Sequence, residues 1–214
     1  ADPSEPVSAT AILTPFFAGQ EQAEALTDIL LGDADPGGRL PITIPVRLAD
    51  HPAYLHHRPD HDGDGNGTQR YAEGLFIGYR HYEATDTPVR FPFGHGLSYG
   101  DATWGDGLLD VESCSVTATV PITCAGDRAA TVVVQGFVEA VTPEYVRPRL
   151  ELKSWDKLTV EPGKTVNAVL KFDPTAFRRW DTAADDWRLE PGEYDIVLAA
   201  SVNDERQRHR ITIS

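Results

Sequence analysis

Hydrophobic and polar residues alternate with a period of two over most of the second half of the chain. Such alternation is typical of β-strands that bury one face and expose the other. The alternating apolar positions are Val116, Ala118, Val120 and Ile122; Val166, Ala168, Leu170 and Phe172; Tyr194, Ile196, Leu198, Ala200 and Val202; and Ile211 with Ile213. Segments near residues 108–112, 130–141 and 149–160 bring the predicted total to about seven strands, which is typical of an immunoglobulin-like sandwich.

The pattern before residue 100 is different and contains one clear helix, predicted over Gln20–Leu31. Its apolar face carries Ala23, Leu26, Ile29 and Leu30. Gly32 follows at the position where a left-handed residue ends a helix. Short apolar runs at Ala9–Leu13 and Leu40–Ile44 predict a strand on each side. A strand–helix–strand unit of this kind needs further strands and helices to bury it, and residues 45–97 show no sustained period, so we predict the end of an α/β domain.

The segment Arg90–Tyr99 separates the two patterns. Aromatic, proline and glycine residues fill most of it, which fits neither an amphipathic helix nor an alternating strand. We therefore predict two parts. Residues 1–99 form the C-terminal part of an α/β sandwich with its junction segment, and residues 100–214 form an all-β sandwich.

Charge and composition exclude some classes of partner. The formal net charge is −14, so no basic stripe is available to neutralise the phosphates of nucleic acid or an anionic membrane surface. No apolar run approaches the roughly 20 residues that a membrane-spanning helix needs. We expect neither nucleic acid nor a membrane as a partner.

The two cysteines, Cys114 and Cys124, are predicted to be free thiols. The nine residues between them read as an extended strand. A strand of that length holds its ends roughly 30 Å apart, far beyond the reach of a disulfide.

The chain contains no methionine, even at position 1. Removal of an initiator methionine before Ala1 and derivation from a longer protein both explain this, and composition does not decide between them. The half-formed α/β pattern favours a piece of a longer protein.

Several motifs follow one another before residue 100. They are Phe17–Glu21, Ala25–Asp33, Pro36–Pro41, Tyr71–Tyr82 and Phe91–Tyr99. Together they resemble glycoside hydrolase family 3, whose β-glucosidases carry a similar Gly-Gln-Glu helix, a Pro-Ser-Gly-Lys/Arg-Leu-Pro turn and a Phe-Pro-Phe-Gly-His-Gly-Leu-Ser-Tyr segment. Enzymes of that family often end in a fibronectin type III-like domain, and Ala125–Ala129, Arg147-Pro148 and Glu161–Gly163 resemble its pattern. Cys124 departs from it, since the family commonly has Asn there, but this affects only a turn.

The resemblance also implies where the catalytic groups of the enzyme lie. Retaining glycosidases use two carboxylates about 5–5.5 Å apart. In family 3 the nucleophile is an Asp on an N-terminal (β/α)8 barrel, and the acid/base is usually a Glu upstream of the Gly-Gln-Glu helix. Neither region is matched, so the resemblance implies that this chain holds no catalytic residue and works with an N-terminal chain or segment carrying the barrel.

Four residues in or near these motifs are candidates for a functional or structural role. Glu21 lies in the first turn of the predicted helix, where a carboxylate is favoured by the helix dipole, and we expect a capping or packing role for it and for Glu73. We expect Arg80 to pair with a carboxylate or with carbonyls at the domain junction. His95, among prolines and aromatic rings, is expected to be structural rather than a catalytic base.

One acidic loop has the pattern of a metal site. Asp60, Asp62 and Asp64, followed by Gly65, match the first half of a calcium loop. The second half fails, because Tyr71 stands at the twelfth position and Glu73 comes two residues late. A structural calcium site and a solvated acidic loop both remain open, and no other cofactor is expected.

The function implied by the resemblance is that of a retaining, exo-acting β-glucosidase-like hydrolase acting on terminal β-D-glucosyl residues of a glucoside or oligosaccharide. This chain would be its C-terminal segment, with a structural role and a role at the rim of the cleft. Two alternatives stay open: the same family acting on β-xylosides or N-acetylglucosaminides, and a non-catalytic sandwich module that binds carbohydrate or a protein partner.

Overall fold

The computed structural model describes residues 9–54, 56–57, 65 and 71–214. These residues fall into two compact units, divided between Asp35 and Pro36. Among the described residues, no helix is both long enough and apolar enough to cross a bilayer.

The first unit contains the helix α1, Gln22–Leu31. Gly32 adopts φ 85° and donates to the Ile29 carbonyl at 3.0 Å, while Asp33 donates to the Asp28 carbonyl at 2.8 Å. This pair of bonds satisfies carbonyls that the end of a helix leaves open. The predicted helix and its glycine stop are confirmed.

Two details of the first unit differ from prediction. The helix has no fully buried residue, and Leu30 on the predicted apolar face is 73% exposed. Residues 9–13 form no strand, so that prediction is wrong. A strand is held by its neighbours, and no strand in the described part of the chain pairs with these residues.

The second unit begins with a short two-stranded sheet. Strand β1, Ile44–Pro45, pairs antiparallel with β2, Val89–Phe91. A 3₁₀ turn spans Leu48–Asp50, and the helix α2 spans Tyr79–Thr85. Of the strand predicted over Leu40–Ile44, only Ile44 lies in a strand, and that strand pairs antiparallel with β2.

A β-sandwich follows, as predicted. Its strands are β3 (Ala102–Trp104), β4 (Leu108–Glu112), β5 (Ser115–Cys124), β6 (Ala130–Ala140), β7 (Glu151–Val160), β8 (Thr165–Phe172), β9 (Arg178–Asp181), β10 (Asp186–Leu189), β11 (Gly192–Ser201) and β12 (Asp204–Ile213). One sheet has the order β12-β11-β6-β7. In the other, β5 pairs with β8 on one edge and with β3 and β4 on the other. Strands β9 and β10 form a separate hairpin, preceded by a 3₁₀ turn at Pro174–Phe177.

The main core lies between the two sheets. Alternate residues of β5 supply one side, and Tyr194, Ile196 and Leu198 of β11 belong to the same cluster. The Tyr194 hydroxyl donates to the Glu190 carbonyl at 2.7 Å, which is the tyrosine corner of immunoglobulin-like sandwiches. The period-two prediction is confirmed except at three positions. Val166 is 41% exposed, Ala200 is half buried, and Val202 belongs to a different cluster because the register of β11 shifts after Leu198.

A second apolar cluster covers the opposite face of the β6–β11 pair. It contains Phe137, Leu150, Val197, Ala199 and Val202, with Tyr79, Phe93 and Leu152 packed against it. The two central strands are therefore buried on both faces. For this reason their sequence is continuously apolar over stretches such as Ile196–Ala200 instead of alternating.

Both cysteines are free thiols, as predicted. Strand β5 holds them apart because it runs from the residue after Cys114 to Cys124 itself. The Cys124 thiol is buried and donates to the Arg128 carbonyl at 3.0 Å.

Candidate functional site

The junction segment, Arg90–Tyr99, is held by backbone hydrogen bonds on two sides. The Gly94 amide donates to the Leu40 carbonyl at 2.8 Å, and the Leu40 amide donates to the His95 carbonyl at 2.9 Å. On the sandwich side, the Val202 amide donates to the Phe93 carbonyl at 3.1 Å. The segment therefore connects the turn before β1 to the end of β11.

Glycine is required where the junction segment meets β6. Gly94 has φ 82°, a left-handed conformation, and a Cβ there would overlap the Gln135 side chain. Gln135 is buried, and its Nε2 donates to the Gly94 carbonyl at 3.2 Å and to the Ala200 carbonyl at 2.8 Å. Close approach and backbone conformation both exclude a side chain at Gly94.

A second polar contact fixes the end of the junction segment. The Ser98 hydroxyl donates to the Thr131 carbonyl of β6 at 2.6 Å. The Arg39 guanidinium donates to the same carbonyl and to the Ser98 hydroxyl, each at 3.2 Å. Arg39 belongs to the Pro36–Pro41 motif, so these bonds join two of the family motifs.

Aromatic rings anchor the junction segment and helix α2 to the sandwich. The Tyr79 ring stacks on Phe93 with centroids 4.8 Å apart, and it meets Phe137 edge-on at 6.0 Å. The Tyr79 hydroxyl accepts a hydrogen bond from the Leu152 amide at 2.9 Å. His95 stacks on Phe91 at 5.4 Å, in agreement with a structural role.

A cavity of about 520 Å³ opens where this anchored region meets the sandwich. It is lined by Thr43, Tyr79, Tyr82, Glu83, Asp86, Thr87, Pro88, Val89, Pro92, Arg149, Val202 and Asn203. Arg149 forms ion pairs with Glu83 and with Glu139 of β6. The wall of the cavity is thus partly charged and partly formed by proline rings.

The ion pairs continue across the outer surface of the sheet. Arg208 pairs with Glu139 at 2.8 Å and with Asp195 at 2.9 Å, and Arg210 also pairs with Asp195. Hydrogen bonds from Arg210 and Arg208 lower the pKa of Asp195 below its ordinary value. The chain of charges from Glu83 to Asp195 ties helix α2 to strands β6, β11 and β12.

A more buried group of charges lies at the other end of β11. The Arg147 side chain, only 8% exposed, pairs with Glu151 at 2.6 Å and with Glu190 at 3.0 Å. Burial on its own would raise the pKa of Glu151, but the charges and hydrogen bonds of Arg147 and Lys153 overcome it and lower that pKa. Arg147 of the Arg147-Pro148 motif is therefore paired with strand β7 and with the turn before β11.

The predicted motif residues have different local environments. Glu21 is exposed at the start of α1 and makes no capping hydrogen bond with its side chain, so the predicted role is wrong. Glu73 is half buried, and its carbonyl accepts from the Phe76 amide at 3.0 Å; its side-chain role stays a prediction. The Arg80 guanidinium lies over the Tyr79 ring at 5.6 Å, and its Nε is buried without a hydrogen-bond partner among the described residues.

The predicted calcium ligands Asp60, Asp62 and Asp64 lie outside the described residues. Within the described ranges, no group of three or more His, Cys, Asp or Glu side chains is arranged to hold a metal ion. The calcium site stays a prediction.

Comparison with known proteins agrees with the motif resemblance. The model of the glycosyl hydrolase family 3 C-terminal domain matches residues 2–79, and that of a fibronectin type III-like domain matches residues 132–202. The chain carries the C-terminal region of glycoside hydrolase family 3. The two family matches leave residues 80–131 unassigned, so a domain boundary at residue 99 stays a prediction.

Individual relatives cover most of the chain. The chain is 40% identical over 199 residues to a β-glucosidase of Rhizobium radiobacter, covering 92% of this chain and 24% of that protein. The structure of a β-glucosidase from Kluyveromyces marxianus in complex with glucose matches with a TM-score of 0.85 at 30% identity, covering 92% of this chain and 24% of that one. A family 3 β-glucosidase from Bifidobacterium adolescentis matches with a TM-score of 0.83 at 30% identity, covering 91% and 28%. The chain spans about a quarter of the length of these relatives.

The sequence did not predict the cavity or the ion pairs around it. Glu83 belongs to helix α2, Arg149 to the loop before β7 and Asp195 to β11, and only the fold brings these three segments together. One signal was available: Glu139 and Asp195 are charged residues within strands of otherwise largely apolar character. Charged residues in such strands need partners, but the sequence does not show which ones.

Proposed function

We propose that this chain is the C-terminal segment of a retaining, exo-acting β-glucosidase-like hydrolase that releases terminal β-D-glucosyl residues. The observation that carries the proposal is the 40% identity of the chain, over 92% of its length, to 24% of the length of a β-glucosidase. The order of motifs along the chain supports the same conclusion. The two catalytic carboxylates of such an enzyme are then supplied by an N-terminal barrel segment or chain.

The role of this chain is to hold a scaffold together. Hydrogen bonds, stacked rings and ion pairs fix the junction segment and helix α2 on the sandwich. Groups that position catalytic residues need rigid support, because small displacements cost much of the rate. The sandwich thus supports the junction segment and helix α2, and in the assembled enzyme the chain contributes to the rim of the substrate cleft.

The sugar specificity is tested on native material, that is, on the polypeptide or complex that contains this chain in the organism that produces it. Size-exclusion chromatography first shows whether the chain migrates with, or as part of, a larger polypeptide. Nitrophenyl β-glucoside, β-xyloside and N-acetyl-β-glucosaminide are then compared as substrates of that fraction. We expect the glucoside to have the highest kcat/KM. A higher value for the xyloside or the glucosaminide contradicts the glucosidase assignment, and a monomeric chain in the native material contradicts the need for a partner segment.

A further inference from the structure

The cavity beside helix α2 has the size of a small-molecule site. Its volume of about 520 Å³ lies within the range of roughly 300–1,000 Å³ that is typical of ligand pockets. All its lining residues belong to the second compact unit. It therefore needs no contribution from the first unit.

The polar groups of the wall are balanced between donors and acceptors. Glu83 and Arg149 neutralise each other in an ion pair. Asp86 adds a carboxylate, which accepts hydrogen bonds only, and Thr87 and Asn203 add a hydroxyl and a carboxamide, which both donate and accept. Such a mixture suits a ligand with many hydroxyl groups.

The remaining wall is apolar and rigid. Pro88 and Pro92 present ring carbons, and Val89 and Val202 add branched side chains. Proline has little conformational freedom to lose when a ligand binds. The C–H surface of a sugar or cyclic polyol packs against a wall of this kind.

Two further hydroxyl groups in the wall have unused bonding capacity. Thr43 is 8% exposed and Tyr82 is 5% exposed. Neither Thr43 Oγ1 nor the Tyr82 hydroxyl has a hydrogen-bond partner within the part of the chain that the structure describes. Buried polar groups are normally paired. Both oxygens are enclosed, so a ligand or an ordered water in the cavity would reach them after a small side-chain rotation.

We propose that this cavity binds a small, neutral, polyhydroxylated molecule, that is, a monosaccharide or a cyclic polyol. An anion is disfavoured because Asp86 faces the cavity and the Arg149 charge is already shared between Glu83 and Glu139. A metal ion is disfavoured because that same arginine lies in the wall. The ligand class follows from the lining residues alone and does not depend on the proposed glycosidase activity.

The test is a titration of the ¹⁵N-labelled 214-residue chain, followed by NMR, with D-glucose, myo-inositol and sodium acetate as separate probes. Asp86→Gly removes the carboxylate from the cavity. Because Asp86 has φ 49°, glycine suits its backbone. Asp185→Gly is the matched control, since exposed Asp185 has φ 53° and lies in the β9–β10 turn. Asn203→Ala is a second variant that removes a different polar group.

We expect glucose or inositol to shift the amide signals of Thr87, Val202 and Asn203 saturably, with a dissociation constant on the order of 1–10 mM. Asp86→Gly weakens that binding about tenfold, and Asn203→Ala weakens it several-fold, while Asp185→Gly leaves it unchanged. The absence of saturable binding by both polyols overturns the proposal. Unchanged polyol binding in both cavity variants also overturns it, because the site then lies elsewhere. Acetate binding as tight as that of glucose overturns it as well, because the cavity is then an anion site.

Discussion

Gln135 of strand β6 donates a hydrogen bond to the carbonyl of Gly94 at 3.2 Å, and the absence of a side chain on Gly94 makes room for it. The same Gln135 nitrogen bonds the Ala200 carbonyl of β11 at 2.8 Å. One buried amide thus joins the junction segment to the two central strands of the sandwich. Because carbonyls of two elements accept from this amide and β6 carries it, its loss affects all three elements.

Substituting Gly94 tests this contact. Gly94→Ala is expected to lower the free energy of unfolding by about 2–4 kcal/mol, because it adds a left-handed strain and displaces the buried Gln135 side chain. Gly163→Ala is the control: Gly163 has φ 68° but open space around its Cβ, so about 1 kcal/mol is expected. Urea unfolding of both variants measures the difference, and equal losses would show that Gln135 moves aside without cost.

Removal of the hydroxyl group is expected to affect stability differently at Tyr82 and at Tyr194. Tyr82 is buried and its hydroxyl is unpaired among the described residues, so Tyr82→Phe should leave stability unchanged or raise it by up to about 1 kcal/mol. Tyr194 donates to the Glu190 carbonyl, so Tyr194→Phe should cost about 1–2 kcal/mol. Thermal unfolding compares the two variants. If Tyr82→Phe destabilises as much as Tyr194→Phe, the Tyr82 hydroxyl has a partner after all.

Acidification is expected to destabilise the sandwich. The pKa values of Asp195 and Glu151 are lowered in the folded chain, the first by hydrogen bonds from Arg210 and Arg208, the second by Arg147 and Lys153 against the effect of burial. A carboxylate with a lowered folded-state pKa contributes stability that is complete above its unfolded pKa, about 4, and is lost as the pH falls through the folded value.

The unfolding free energy should therefore be nearly constant for these groups above about pH 5 and decline below about pH 4. Asp195→Asn should be less stable than the original chain at pH 7, with the gap narrowing towards pH 3, because only the original loses the charged pair on acidification. Urea titrations at several pH values measure both slopes. A gap that stays constant with pH would show that Asp195 contributes through packing alone.

The acidic loop with Asp60, Asp62 and Asp64 allows a direct decision between its two interpretations. Tyr71 stands where a calcium loop supplies its bidentate Glu, which favours a solvated loop without calcium. If the loop is solvated, calcium added to the calcium-free chain in a calorimeter gives no saturable heat. Structural calcium predicts a saturable heat that is lost in Asp62→Asn and kept in Asp110→Asn, an exposed acidic residue elsewhere.

The sequence predicted the sandwich well because period two is a local signal. All seven predicted strands occur, and the free thiols follow from the length of β5. Strand β12 was underestimated, since its first half, rich in Arg, Gln and His, has no apolar alternation. Its residues form ion pairs such as that of Arg208 with Asp195 of β11. Such pairs depend on a neighbouring strand and give no hydrophobic periodicity in the sequence.

The N-terminal part was harder to predict for a related physical reason. The run Ala9–Leu13 has the composition of a buried strand but is exposed and forms no strand. A strand needs a partner as well as a composition. The junction segment shows the opposite case: its glycines and rings identified the family, while its hydrogen bonds to Gln135 and Thr131, at 3.2 Å and 2.6 Å, required the fold.

The most direct test of the central claim is the hydrolysis of nitrophenyl β-glucoside by the 214-residue chain on its own. It is measured beside the native polypeptide or complex that carries the chain, at equal molar concentration. We predict hydrolysis by the native material and none above background by the chain alone, because the two carboxylates that a retaining glycosidase needs are supplied by the N-terminal segment. Hydrolysis by the isolated chain at a rate comparable to that of the native material would contradict the claim.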